Sequence, residues 1–142
     1  MIKYIKGNLF ASNPKLIVHG CNAQNIMGSG FALQIKQRYP DCFISYKNSI
    51  LKLGENHIWT SQDNSVTIIN AITQNLFGST GAKFVKYDAV DQCMQHLSVD
   101  FTHVELISMP KIGAGLGGGD WNVIEAIINH RLKDHMVHVY EL

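Results

Sequence analysis

The sequence has little of what a disulfide scaffold, a membrane protein or a secreted protein would need. Its three cysteines, Cys21, Cys42 and Cys93, are an odd count without a CxxC pair, which argues against a disulfide framework and a thiolate zinc site. No apolar run approaches the roughly 20 residues that span a bilayer. The N-terminus has no apolar stretch of the secretory kind. We therefore expect a cytoplasmic protein that does not contact membranes.

An excess of one charge is also lacking. Twelve Lys and Arg residues face 11 Asp and Glu residues, for a formal net charge of +1, and the cations are scattered, so the footprint of a nucleic-acid backbone is absent. The histidines show no metal-ligand spacing such as HExxH. We predict no metal and no cofactor. This charge balance is compatible with a small anionic ligand, because backbone amides and a helix N-terminus can hold phosphate without net positive charge.

The 142 residues fit one ordinary domain spanning residues 1–142, which we expect to be a monomer. Apolar periodicity predicts strands that alternate with helices, as in an α/β layered fold with a mixed sheet. The predicted strands are 2–6, 16–19, 57–61, 66–72, 103–109 and 136–140. The predicted helices are 30–38, 41–50, 87–97 and 120–132.

Eight of the 12 glycines lie in two segments, which we call the first glycine loop (residues 20–30) and the second glycine loop (residues 113–119). Each loop follows a predicted strand and precedes a predicted helix. Loops of this kind can direct backbone amides at an anion, at the edge of an α/β sheet where ligands usually bind. Alternatively, the glycines only permit tight turns.

The second glycine loop also matches the dinucleotide fingerprint GxGxxG at residues 113–118. Only 24 residues follow this match, which is too few to complete a dinucleotide-binding fold. No GxxxxGK[ST] motif is present. These observations argue against NAD-dependent hydride transfer and against ATP hydrolysis.

Four motifs, taken in order and spacing, resemble the macrodomain family. Residues 6–10 read KGNLF, 18–24 read VHGCNAQ, 27–32 read MGSGFA and 108–116 read SMPKIGAGL. The resemblance covers essentially the whole chain. It is closest to the short branch that contains ADP-ribosyl-glutamate hydrolases and yeast-type ADP-ribose 1″-phosphate phosphatases. It implies a three-layer α/β/α fold, with a central, mostly parallel sheet, that binds ADP-ribose or its 1″-phosphate.

The resemblance also implies ligand contacts in both glycine loops. Asn22 would bond the distal ribose, the second loop would hold the diphosphate, and adenine would lie near Asn8, where the family usually has Asp. The implied ligand residues are Asn8, Leu9, Gly20, Cys21, Asn22, Met27, Gly28, Ser29, Gly30, Pro110, Ile112, Gly113, Ala114, Gly115, Leu116, Gly117 and Leu142.

The catalytic residues of the glutamate-deprotecting branch are missing. That branch uses a lysine and an aspartate at the positions that are here Gln74 and Gly117. Glutamine cannot form a Schiff base and glycine has no carboxylate, so we do not expect a lysine–aspartate mechanism.

A metal-independent phosphatase would need a positioned water, a proton donor and donors to the phosphoryl oxygens. The candidates are Asn22, to orient the water or the ribose, and Ser29, to donate to phosphate. His19 either shuttles a proton or is a core histidine, and Asp120 either acts as base or only caps the following helix.

Three alternative functions are compatible with the resemblance and with these residues. The leading one is hydrolysis of ADP-ribose 1″-phosphate to ADP-ribose and phosphate. The second is a non-catalytic reader of ADP-ribose, which the missing lysine and aspartate favour. The third is removal of ADP-ribose from a modified protein or nucleic acid.

Overall fold

The computed structural model describes residues 1–28, 30–75, 85–103, 106–114 and 118–141. Its six strands form one sheet in the order β1-β6-β5-β2-β4-β3. The pairs β1–β6, β6–β5, β5–β2 and β2–β4 are parallel, and β3 runs antiparallel to β4 at the edge. The strands are β1 Ile2–Lys6, β2 Leu16–Asn22, β3 Asn56–Thr60, β4 Thr67–Gln74, β5 Leu106–Pro110 and β6 Met136–Glu141.

Helices cover both faces of the sheet. The helices are α1 Gly30–Arg38, α2 Pro40–Lys47, α3 Tyr87–Asp100 and α4 Trp121–Arg131, with a short 3-10 helix at Leu9–Ser12. One apolar cluster joins α3 and α4 to the sheet. A second cluster joins α1, α2 and the 3-10 helix to the opposite face. The predicted three-layer α/β/α architecture is therefore confirmed.

The inner strands are apolar on both faces because both faces are covered. In β2, Leu16 and Val18 pack in the cluster of α3 and α4, whereas Ile17 and Cys21 pack in the cluster of α1 and α2. All four side chains are buried. This explains why the sequence of β2 reads as a continuous apolar run instead of an alternating one.

Element ends differ from the predictions more than element types do. Strand β2 extends three residues beyond the prediction, to Asn22, and α2 ends at Lys47 instead of residue 50. Strand β5 begins at Leu106. The 3-10 helix at Leu9–Ser12 was not predicted, because four residues are too few to show a helical period.

The topology brings the two glycine loops together. Strands β2 and β5 are parallel neighbours, with Ile17 opposite Ser108. Their carboxyl ends therefore lie at the same edge of the sheet, and each loop leaves from one of them. None of the described helices has the length and apolar character to cross a membrane.

Candidate functional site

Gly20 marks a close approach between β2 and its neighbours. A Cβ atom on Gly20 would lie 3.0 Å from Oγ1 of Thr73 and 3.2 Å from Cγ2 of Ile112. Ile112 directly precedes the second glycine loop, so a side chain at Gly20 would crowd Thr73 of β4 and the start of that loop, and these neighbours would have to shift by a few tenths of an ångström. The absence of a side chain there keeps the origins of the two loops in contact.

Asn22 organises the first glycine loop with its side chain. Its Oδ1 accepts hydrogen bonds from the backbone N–H groups of Gln24 (3.0 Å) and Ile26 (3.3 Å), and its Nδ2 donates to the carbonyl of Ile26 at 2.8 Å. The side chain is largely buried, at 8% exposure. The second N–H of Nδ2 has no partner among the described residues. Asn22 thus holds the shape of the first glycine loop, and one donor of its amide is unused within the described residues.

Helix α2 anchors the same loop through two residues that the sequence did not single out. The hydroxyl of Tyr46 donates to the backbone carbonyl of Asn22 at 2.5 Å and lies 3.1 Å from Oδ1 of Asn22. Asn25, in the left-handed region at φ 61, directs its Nδ2 at the carbonyls of Tyr46, Lys47 and Ser49, at 3.2, 2.8 and 3.1 Å. These bonds tie the first glycine loop to carbonyls in the last turn of α2 and just beyond it.

The end of the first glycine loop is open where it enters α1. Met27 is buried, whereas Gly28 is exposed, and among the described residues a Cβ on Gly28 would meet only Cγ2 of Ile26, at an ordinary 3.4 Å. Gly30 begins α1 with φ 59. The predicted site residue Ser29 lies outside the described residues. A side chain at position 28 therefore has space, which makes this glycine useful for mutagenesis.

The second glycine loop folds back on itself. Gly113 has φ 72, and a Cβ there would lie 2.8 Å from Cγ2 of Val85. The N–H of Gly119 donates to the carbonyl of Gly113 at 2.8 Å, which closes the loop. Pro110 ends β5, Ile112 is buried and Ala114 is half-buried. The predicted ligand residues Gly115, Leu116 and Gly117 lie outside the described residues.

Asp120 caps α4. Its carboxylate accepts a hydrogen bond from the N–H of Asn122 at 2.9 Å, and its own N–H donates to the hydroxyl of Tyr87 at 3.0 Å. The residue is exposed. The helix-cap role is therefore present, and the carboxylate remains open to solvent beside the second glycine loop.

His19 lies in the interior, beneath the layer formed by α1 and α2. It is 1% exposed, its ring lies 5.5 Å from that of Phe31, and its Nε2 donates to Oδ1 of Asn70 at 2.5 Å. Burial lowers the pKa of His19 to about 4, against a smaller upward effect of the bond to Asn70. The imidazole is thus neutral at pH 7, and the structure places it as a core histidine.

The same polar chain continues to the edge of the sheet. Nδ2 of Asn70 donates to Nδ1 of His57 at 2.9 Å, and Nε2 of His57 lies 3.0 Å from Oγ of Ser45. The amide oxygen of Asn70 only accepts, so Nε2 of His19 carries the proton. The amide nitrogen of Asn70 only donates, so Nδ1 of His57 is the acceptor and the proton of neutral His57 lies on Nε2. Asn70 is fully buried, so this chain satisfies polar groups that would otherwise weaken the core.

Of the remaining predicted site residues, Asn8 and Leu9 follow β1, and Cys21 lies near the end of β2. Asn8 is exposed and caps the 3-10 helix, Leu9 is buried beneath it, and Cys21 is buried in β2. Leu142 lies outside the described residues. The Cys21 side chain packs in the cluster of α1 and α2, where burial raises the pKa of its thiol well above its usual value.

Within the described residues, no group of three His, Cys, Asp or Glu side chains is placed to hold a metal ion. Thr73, near the end of β4, is a further polar residue of this edge that the sequence did not single out. Its Oγ1 is buried with no hydrogen-bond partner in the described part of the chain. The pattern of β4 indicates a buried strand and gives no signal for such a hydroxyl.

The fold, the paired loops and the sequence motifs can be compared with known proteins. The sequence profile of the Macro domain family matches residues 18–128. The chain belongs to this family. The macrodomain is 30% identical to an ADP-ribose 1″-phosphate phosphatase of Lodderomyces elongisporus, over 90% of this chain and 91% of that protein.

Other relatives of this macrodomain carry different names. It is 32% identical to a DNA ADP-ribosyl glycohydrolase of Mycobacterium tuberculosis, over 88% of this chain but only 37% of that protein. A solved structure from Bacteroides thetaiotaomicron superposes with a TM-score of 0.87 at 32% identity, covering 100% of this macrodomain and 98% of that chain. The resemblance stated from the motifs is therefore confirmed at the level of the family.

Proposed function

We propose that this macrodomain binds ADP-ribose and hydrolyses ADP-ribose 1″-phosphate to ADP-ribose and phosphate. The observation that carries the proposal is the meeting of the two glycine loops at the carboxyl ends of the parallel neighbours β2 and β5. Backbone amides and open space at Gly28 suit an extended phosphorylated ligand at this edge. The phosphatase relative of L. elongisporus spans nearly the same length as this chain.

The chain's own residues favour a phosphatase over an ADP-ribosyl glycohydrolase. Gln74 and Gly117 stand where the resemblance places a catalytic lysine and aspartate in the glutamate-deprotecting branch. A glycohydrolase of that type would lack the lysine that forms a Schiff base or carries a positive charge, and the aspartate that acts as acid or base.

In the proposed reaction water attacks the 1″-phosphorus and the ribose oxygen leaves with a proton. Asn22 would donate its remaining N–H to the distal ribose or to the attacking water. Ser29 would donate to the phosphoryl oxygens, and the amides of the second glycine loop would hold the diphosphate. Asp120 remains the candidate base, because its carboxylate is exposed at the end of that loop. His19 has no part in this scheme, since it is buried and neutral.

A reader function is the second candidate, favoured by the same absence of the lysine–aspartate pair. On this view the loops bind ADP-ribose and no bond is broken. Removal of ADP-ribose from DNA or protein is the third. We further propose that the protein works as a monomer in the cytoplasm, which size-exclusion chromatography and localisation of the tagged chain would test.

The deciding experiment offers three substrates to the purified protein: ADP-ribose 1″-phosphate, an ADP-ribosylated oligonucleotide and an ADP-ribosylated peptide. Inorganic phosphate and free ADP-ribose are both measured. Phosphate from the first substrate alone supports the phosphatase. ADP-ribose from either macromolecule supports the glycohydrolase, and saturable binding without any product supports the reader. Gly28→Glu should abolish whichever activity appears, while Gly28→Gln, which has the same size without the charge, should retain most of it.

A further inference from the structure

One tyrosine of the edge strand β1 contacts both ends of the second glycine loop. Lys111 lies two residues before this loop, and Trp121 lies two residues after it. The ring of Tyr4 meets that of Trp121 edge to face, with centroids 6.4 Å apart. Nζ of Lys111 lies 6.0 Å from the centroid of the Tyr4 ring. Tyr4 belongs to none of the four sequence motifs, yet it is placed to fix where the loop begins and ends.

At the end of the loop the contact is a pair of hydrogen bonds through the Tyr4 hydroxyl. Nε1 of Trp121 donates to this hydroxyl at 2.8 Å, and the hydroxyl donates in turn to the carboxylate of Glu125. Trp121 and Glu125 are four residues apart and therefore lie on one face of α4. The hydroxyl suits this position because its oxygen accepts from the indole while its proton goes to the carboxylate. The first turns of α4 are thus tied to β1.

At the start of the loop the contacts are weaker. Nζ of Lys111 forms an ion pair with the Glu141 carboxylate at 3.0 Å, but the two side chains are 39% and 37% exposed, and exposed ion pairs contribute little. The distance of 6.0 Å from this Nζ to the rings of Tyr4 and Trp121 is at the limit for a cation–π contact. The Tyr4 hydroxyl is therefore the group whose removal should loosen the loop most. We call Tyr4, Lys111, Trp121, Glu125 and Glu141 together the Tyr4 clasp.

We propose that Tyr4 is a positioning residue for ADP-ribose, because the Tyr4 clasp fixes both ends of the second glycine loop before the ligand binds. This inference rests on the proposed function, in which the amides of that loop hold the diphosphate. A loop with fixed ends has less conformational freedom to lose on binding, so a larger share of its contacts with the ligand appears as affinity. Tyr4 acts through Trp121 and Lys111, and it takes no part in the chemical step.

The test removes the Tyr4 hydroxyl and keeps the ring. Wild type and Tyr4→Phe are titrated calorimetrically with ADP-ribose, and Tyr39→Phe is the matched control. Tyr39 packs on the other face of the sheet, and its hydroxyl has no hydrogen-bond partner among the described residues. Because Tyr4 is 40% exposed, water can replace its lost partners, so thermal melting should show that both variants stay folded. We expect Tyr4→Phe to raise the dissociation constant about threefold to tenfold and Tyr39→Phe to leave it unchanged.

Two further readouts distinguish positioning from a purely structural contact. Trp121→Phe removes the indole donor, and combining it with Tyr4→Phe should weaken binding no more than the larger single loss, because both changes break the same hydrogen bond. The chain has two tryptophans, Trp59 and Trp121, so the indole N–H signal that Trp121→Phe removes from the NMR spectrum is that of Trp121. ADP-ribose should shift this signal in wild type with the dissociation constant that calorimetry gives.

Selective weakening in Tyr4→Phe, with non-additive losses and a Trp121 signal that responds to the ligand, supports the role of Tyr4. This role is overturned by unchanged affinity in Tyr4→Phe, by an equal loss in Tyr39→Phe, by additive losses of binding free energy in the double variant, or by a Trp121 signal that ignores the ligand. The proposed function stands in each of these cases, since wild type still binds ADP-ribose. Absence of binding by wild type at millimolar ligand overturns the proposed function and this inference together.

Discussion

Acid should destabilise this protein because His19 is buried in its neutral form. The substitution His19→Gln should remove this effect. The imidazole is 1% exposed and donates from Nε2 to Asn70, whose other amide end is already committed to His57. Protonating His19 would place a charge in the apolar interior with no counterion described beside it. Burial accordingly lowers the pKa of His19 from 6.5 to about 4.

The pH window and the sign follow from these two pKa values. Between about pH 6.5 and 4, His19 in the unfolded chain carries a proton and His19 in the native protein does not. The unfolded state therefore binds more protons, and stability falls as the pH drops through this window. At about 1.4 kcal/mol per pKa unit the full effect is roughly 3 kcal/mol, of which about 2 kcal/mol should be lost between pH 7 and 5.

Urea denaturation of wild type and His19→Gln at pH 7, 6 and 5 measures this effect. Apart from residue 19 the two proteins carry the same groups, so the difference between their free energies of unfolding at each pH isolates residue 19. His19→Gln should be less stable at pH 7 and should lose about 2 kcal/mol less than wild type on acidification. Parallel pH profiles would refute the reasoning, because they would mean that native His19 takes up protons as freely as the unfolded chain.

Three further predictions concern the loops and the thiols. Tyr46→Phe removes the hydroxyl that holds the carbonyl of Asn22 and should cost about 1–3 kcal/mol in urea unfolding, with weaker ADP-ribose binding by calorimetry; unchanged affinity would show that the loop holds its shape without this bond. Asp120→Asn keeps the cap of α4, so stability should be unaffected. A loss of turnover above about tenfold would assign the carboxylate to catalysis. Unchanged turnover would show that Asp120 serves only as the helix cap. The three cysteines are buried, and burial raises the pKa of each thiol, so a thiol reagent should label them in urea but not in the native protein; rapid native labelling would contradict the described packing.

The order of strands and helices could be read from the sequence because each element carries a local signal. The apolar run of β2 and the three- and four-residue spacing in α4 are visible within a dozen residues. The three-layer arrangement came from the family resemblance and not from these signals. Element ends were less accurate, since β2 continues to Asn22 only because its last residues pair with the end of β4.

The supports of the site could not be read from the sequence in the same way. Tyr46 reaches Asn22 across 24 residues of chain, and Asn25 is set against the end of α2 by packing that no local pattern records. The burial of His19 could not be predicted from the sequence either. Its place in β2 determines which face of the sheet it occupies, but whether that face is open or covered depends on α1 and α2, whose packing is known only in three dimensions.

The most direct test of the account is calorimetric titration of ADP-ribose into wild type, Gly28→Gln and Gly28→Glu. The described residues leave space at position 28, so both variants should fold, and only the carboxylate should repel the diphosphate. We predict saturable binding in wild type, a modest loss in Gly28→Gln and a much larger loss in Gly28→Glu that added salt partly reverses. Equal affinity in all three proteins, or no binding by wild type at millimolar ligand, would contradict the claim that the two glycine loops form an ADP-ribose site.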